Sequence, residues 1–351
     1  MQYLQLTELL EVNLKHESDT RQATGHVGSH MVAELLKIGR HEITAISRHD
    51  SQSQPPEGVK VVRVDYSDED ALTSALRGQD FLIISLFSRT PPEVHTKICN
   101  AAGKAGIKWI MPNVYGMDIE NETLMKESVY GPTSVKCVGD VKNSGANYVV
   151  MACSFWYEWS LSGGHGDVLD FYGIAIASRK AVFFDDGTQK INTSTLVQCG
   201  RALAALLNLP LTKESPDQPA LEDWKNKPLY VSSFRVSQRD MLDSVHRALG
   251  TTDKDWTIDY EPAEKRVAEG LEGMKKGDFA GFARAMYTRV FYKNGDGDFG
   301  TKRRLANDIL GLPKEDFDEV TKWVVDKIEK GESVYEINAS DLKKLKQVPE
   351  V

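Results

Sequence analysis

Gly25 and Gly28 stand three residues apart in Ala23-Thr24-Gly25-His26-Val27-Gly28-Ser29, directly before a stretch with apolar residues at Val27, Met31, Leu35 and Ile38. Glycine lets a backbone approach a ligand closely, and a helix N-terminus offers N–H groups and the positive end of a dipole. The chemistry such a turn can do is to hold a pyrophosphate, with Thr24, Gly25, His26, Val27 and Gly28 as the cradle. Arg48 lies about twenty residues further on, after a strand-like run. An acid at that place binds the ribose 2′-hydroxyl of a dinucleotide, whereas an arginine can pair with a 2′-phosphate. Two glycines before a helix also occur at plain loop-to-helix junctions, and a solvated loop arginine is common. The surrounding pattern decides between these readings.

That pattern is regular from residue 42 to residue 153. Strands are expected at 42–47, 59–64, 81–87, 107–111 and 148–153, and helices at 68–77, 92–104 and 135–144. Phe81-Leu82-Ile83-Ile84-Ser85-Leu86-Phe87 is continuously apolar, as a strand buried on both faces should be. Strands alternating with helices of this length imply βαβ units, a parallel sheet and right-handed crossovers. Ligands of such sheets lie beyond the carboxyl ends of the strands. From Ser154 the alternation stops: Phe155-Trp156-Tyr157-Glu158-Trp159 is followed by a glycine-rich loop holding His165, then by helices at 196–207 and 237–249 and a long helical stretch at 265–290.

Residues 1–22 depart from the pattern. A central strand should run straight into the glycine turn, but Leu14 to Gln22 is polar, and Gln22 occupies the place of a first glycine. Leu4, Leu6, Leu9, Leu10, Val12 and Leu14 form either a short helix or a displaced strand. Either Glu11–Leu14 supplies the first strand with a polar insertion behind it, or that strand is absent. Its absence would leave the cofactor turn poorly held.

With 351 residues there is room for one large or two ordinary domains. A net charge of −8 argues against a nucleic-acid surface. Cys99, Cys137, Cys153 and Cys199 lie far apart, which excludes a disulfide framework or Cys-x-x-Cys metal spacing and makes reduced thiols in the cytoplasm the expectation. No apolar run is long enough to span a membrane, and the N-terminus lacks the pattern of a secretory signal.

The glycine turn, Arg48, Asp65, Trp109-Ile110-Met111-Pro112-Asn113 and the Gly187–Thr195 turn together resemble the NmrA-like, isoflavone-reductase-like family, an atypical branch of the short-chain dehydrogenases. Phe155–Ser160 and Asn294-Gly295-Asp296-Gly297-Asp298-Phe299 resemble its fungal members. The resemblance covers about residues 23–330. It implies an α/β fold: a Rossmann-type doubly wound parallel sheet over residues 23–155, a smaller, mainly helical C-terminal substrate domain over 156–330, and a tail at 331–351. It also implies an NADP(H) cofactor, a small-molecule substrate and a place in secondary metabolism. Because the family holds both reductases and non-catalytic redox sensors, a protein partner belongs to the second case.

Residue by residue, the resemblance implies that Arg48 selects NADPH. Asp65 and Tyr66 would flank the adenine, against the even alternative of an ordinary strand-to-helix turn. Leu86, Phe87 and Ser88 would lie beneath the phosphates and nicotinamide ribose, and Phe155, Trp156 and Tyr157 would line the substrate pocket. There is no Tyr-x-x-x-Lys pair. The family instead uses a lysine on the helix before the sixth strand. Counting back from Gly145 puts that lysine at Ser134, while this chain has Lys136. Two residues are about 200° of helix rotation, so Lys136 is read as catalytic or as a solvated helix lysine. The two rival functions are a non-catalytic NADP(H)-sensing regulator and a degenerate fold with a damaged cofactor site.

Overall fold

The computed structural model describes residues 2–9, 25–49, 51, 55–86, 90–164 and 167–334. The chain divides into two compact units. The first comprises residues 1–155, 192–233 and 296–314, and the second 156–191, 234–295 and 315–351.

The first unit is built on seven parallel strands. In chain order it contains β1 (Gln2–Leu9), α1 (His26–Ile38), β2 (His41–Arg48), β3 (Val59–Val64), α2 (Glu69–Leu76), β4 (Phe81–Leu86), α3 (Pro92–Ala105), β5 (Trp109–Met111), α4 (Glu122–Glu127), α5 (Gly131–Ser144) and β6 (Asn147–Ala152). The strand Lys227–Tyr230 then adds beside β6, giving the sheet order Lys227–Tyr230, β6, β5, β4, β1, β2, β3. This is the doubly wound arrangement, with the strand order reversing between β1 and β4.

The first strand is therefore present, as a displaced one. β1 is not Glu11–Leu14, which lies outside the described residues together with Gln22. It is Gln2–Leu9, paired on one side with β2 (Leu4 opposite Ile43) and on the other with β4 (Leu4 opposite Phe81). Backbone pairing on both edges accounts for a central strand whose sequence is not a continuous apolar run. Residues 10–24 separate its end from the glycine turn.

The sheet is covered by helices because alternate strand residues point to opposite faces. Ile46, Leu82, Ile84, Ile110 and Val150 share one cluster with Leu72 and Leu76 of α2, Ile98, Cys99 and Ala102 of α3, and Val138 and Val141 of α5. Helix α1 packs instead against the helix Leu196–Leu207. Their approach is close: a Cβ built on Gly200 would stand 2.4 Å from the carbonyl oxygen of His30. This is why residues 192–233 group with the first unit, whereas the sequence expectation places 156–330 in the second domain.

The second unit combines helices with a three-stranded sheet, Thr257–Glu261, Lys180–Phe184 and Ile174–Ala175. The helical stretch expected at 265–290 comprises two helices, Ala263–Lys275 and Phe279–Arg289, separated at Lys276–Asp278, where Asp278 caps the second. Helices Gln238–Leu249 and Phe317–Glu329 are tied by Asp318, which accepts from Ser244 Oγ at 2.6 Å and from Arg247 Nε at 2.8 Å. All four cysteines are buried free thiols. Among the described residues no helix is long and apolar enough to cross a membrane.

Candidate functional site

Because the seven strands are parallel, their carboxyl ends share one edge of the sheet. Leu9 of β1 lies opposite Leu86 of β4, and Arg48 of β2 lies opposite Val64 of β3. The four strand ends therefore stand in the order Leu86, Leu9, Arg48, Val64. The reversal of strand order between β4 and β1 falls at this edge, where doubly wound sheets take their ligands.

The glycine turn opens α1. Gly25 is the N-cap residue, with φ 31° and ψ 165°, a conformation that favours glycine. It offers no side-chain cap, and the Ser29 N–H bonds to its carbonyl at 3.1 Å. The N–H groups ahead of Ser29 point out of the helix start, where the dipole is positive. Val27 and Gly28 are buried against the sheet. Thr24 lies outside the described residues, as do Phe87, Ser88 and His165. A diphosphate fits this start, where among the described residues no side chain caps the helix.

Arg48 ends β2 half-buried. The loop after it is fixed, with the His49 N–H bonded to Val64 O at 3.1 Å and the Ser51 N–H to Arg48 O at 3.1 Å. Arg63 braces the same loop through the Ser51 carbonyl and, at 3.4 Å, Ser47 Oγ. Beyond β3, Asp65 is exposed and accepts from the N–H and Oγ of Ser67 at 2.8 and 2.7 Å, which holds its carboxyl below the usual range. Tyr66 turns the other way. It is buried in the α2–α3–α5 cluster, and its hydroxyl donates to Ile46 O at 3.1 Å.

The edge at β4 and β5 holds residues that sequence reasoning missed. Asn113, two residues past β5, accepts the Leu86 N–H at 2.9 Å through Oδ1. The Asn113 N–H in turn donates to His95 Nε2 at 3.4 Å. Since Nε2 accepts, the His95 proton sits on Nδ1, which lies 3.0 Å from Asp140 Oδ2. Burial pushes the His95 pKa down, against the pull of Asp140. Asp140 also accepts from Thr96 Oγ1 at 3.0 Å and from Lys136 Nζ at 3.0 and 3.2 Å. Burial opposes its ionisation, and the bonds from Lys136, His95 and Thr96 prevail, keeping the carboxyl below the usual range. Lys136 Nζ further donates to Thr96 Oγ1 at 2.5 Å. Lys136 therefore stands at the carboxyl edge, with its ammonium in a network of helices α3 and α5. The Pro112-Asn113 strand end was the sequence signal for Asn113, but His95 and Asp140 carried none.

Of the aromatic residues, Phe155 and Trp156 are half-buried. The Trp156 Nε1 atom is buried with no hydrogen-bond partner among the described residues. Tyr157 is fully buried in the core of the second unit, its ring 5.4 Å from those of Phe234 and Phe317. Its hydroxyl bonds Thr321 Oγ1 at 2.6 Å, and burial pushes its pKa well up. That is a core placement, not a pocket wall.

Comparison with known proteins agrees with this geometry. Residues 23–158 match a family described as NAD(P)H-binding. The chain is 26% identical over 303 residues to the oxidoreductase aprR of Aspergillus flavus, covering 85% of this chain and 95% of that one. Its fold matches isoflavone reductase with TM-score 0.67 at 18% identity, covering 92% of this chain and 99% of the other. It also matches the Escherichia coli NADPH-dependent quinone oxidoreductase QOR2 in complex with NADPH, with TM-score 0.63 at 18% identity, covering 93% and 99%. The chain thus carries an NAD(P)H-binding domain on a Rossmann-type α/β fold. Beyond that domain, the fold is similar to those of isoflavone reductase and the quinone oxidoreductase QOR2.

Proposed function

We propose that the protein is an NADPH-dependent reductase that passes hydride to a carbonyl or conjugated alkene of a small aromatic metabolite. The observation that carries this reading is the placement of the uncapped Gly25 turn and Arg48 along one strand edge, at the β1–β4 switch. In it, the first turn of α1 holds the pyrophosphate, Arg48 pairs with the 2′-phosphate, Asp65 lies at the adenine end, and Leu86 lies under the nicotinamide ribose. Bound NADPH would supply the hydride. Phe155, the last residue of the first unit's opening segment, would face the substrate.

Proton delivery is assigned to Lys136, the cation at the carboxyl edge, held by Thr96 and Asp140. The same hold favours a second reading, a regulator that binds NADP(H) without turnover, because the Lys136 ammonium is already engaged by Thr96 and Asp140. Single-turnover oxidation of bound NADPH by quinone and enone substrates separates the two. Lys136→Ala is expected to lower turnover by about two orders of magnitude or more, far more than it lowers NADPH affinity, and unchanged turnover removes Lys136 from the chemistry.

A further inference from the structure

Beside Lys136, helices α3 and α5 bring together two buried titratable groups, His95 and Asp140, to which the assigned chemistry gives no proton-transfer step. His95 is 2% exposed and Asp140 7%. An Asp–His pair has the look of catalytic machinery, but His95 reaches no solvent: Nδ1 faces Asp140 and Nε2 accepts from the Asn113 backbone. It cannot take a proton from a substrate without first breaking one of these bonds. What it touches is informative. Asn113 is the residue whose side chain holds the N–H of Leu86, the last residue of β4.

We infer that His95, oriented by Asp140, is a positioning residue: it fixes the Asn113 turn, and through Asn113 the carboxyl end of β4 on which the nicotinamide half of the cofactor would rest. This rests on the nucleotide reading above. Three features support it. The bonds form one unbroken path, Asp140 to His95 to the Asn113 N–H, and the Asn113 side chain to Leu86, with lengths of 3.0, 3.4 and 2.9 Å. The tautomer is determined along it, because the ionised Asp140 requires the proton on Nδ1 and so leaves the Nε2 lone pair for Asn113. Asp140 is itself gripped by Thr96 and Lys136, so the orienting carboxylate cannot rotate freely. Lys136 then has a structural use that needs no proton transfer: it neutralises and anchors Asp140.

The test has one arm without cofactor and one with it. His95→Phe keeps a ring in the space and removes both nitrogens, Asn113→Ala removes the clamp on Leu86, and the double variant combines them. In the ligand-free protein, amide hydrogen exchange at Leu86 should quicken at least tenfold in each single variant, and no further in the double. NADPH affinity by titration calorimetry should fall by a similar factor in each, again without additivity. Asn113→Ala changes a half-exposed turn and keeps the test open should His95→Phe not fold. Asp140→Asn, which can still accept from Nδ1, should restore most of the affinity lost in Asp140→Ala. Unchanged exchange at Leu86 in folded His95→Phe overturns the inference, as do fully additive losses. Quickened exchange in a protein whose wild type binds no NADPH supports the clamp and overturns the nucleotide reading instead.

Discussion

At the scale of single residues, Arg48 is the position on which cofactor choice turns. A charge-assisted contact to phosphate contributes roughly 1.5–3 kcal/mol. Arg48→Glu should therefore weaken NADPH binding by about tenfold to a hundredfold and narrow or invert the preference over NADH, as measured by paired titrations. A change in NADPH affinity of less than about threefold would show that Arg48 does not meet the 2′-phosphate. The sequence singles out Arg48 as a candidate because its distance from a glycine turn is set by the βαβ unit. It made Tyr66 and Tyr157 look equally functional, since an aromatic residue after a strand reads the same whether it faces a ligand or the core. Only burial separates them: the Tyr66 hydroxyl is used by Ile46 and that of Tyr157 by Thr321. His95 and Asp140 lie on different helices, and no local spacing could reveal that they meet.

At the scale of elements, β2, β4, β5 and β6 are where their apolar runs put them, because strands buried on both faces need such runs whatever else the chain does. The first strand escaped that logic. It is fixed by ladder bonds to two neighbours, and residues 10–24 detach it from the glycine turn. Two experiments follow. Leu6→Pro removes a backbone donor from a strand paired on both sides and should lower the melting temperature sharply, with a loss on the order of 3 kcal/mol. Shortening 10–22 so that Leu9 leads directly into a glycine-first turn should strengthen NADPH binding about tenfold by preorganising the turn, and sub-micromolar binding by the unmodified chain would show that the link is harmless. A third element-level change tests the α1 contact. Gly200→Val would drive a side chain into the His30 carbonyl and should cost about 1–3 kcal/mol in denaturant unfolding.

At the scale of the whole molecule, buried histidines set the acid limit. Burial lowers the His30 pKa from 6.5 to about 3, and burial also lowers those of His41 and His95. Each binds protons more readily in the unfolded chain, so the folded state keeps its full advantage above pH 6.5 and loses it as pH falls below that, down to about 3 for His30. The paired Asp140 acts in the same direction at lower pH. Melting temperature should fall steadily below pH 6.5, and His30→Leu should flatten the slope; a slope unchanged by that substitution would mean His30 is not the titrating group. The interleaving of the two units has a consequence of another kind. The chain passes between them after residues 155, 191, 233, 295 and 314. During synthesis the first unit therefore waits for the helix Leu196–Leu207 to cover α1, for the strand Lys227–Tyr230 to close the sheet beside β6, and for residues 296–314 beyond that. Such distant pairings make folding slow and leave the nascent sheet edge open to other chains. A fragment ending at residue 158, although it spans the nucleotide-binding match, should emerge from the ribosome as a chaperone client rather than as a folded domain.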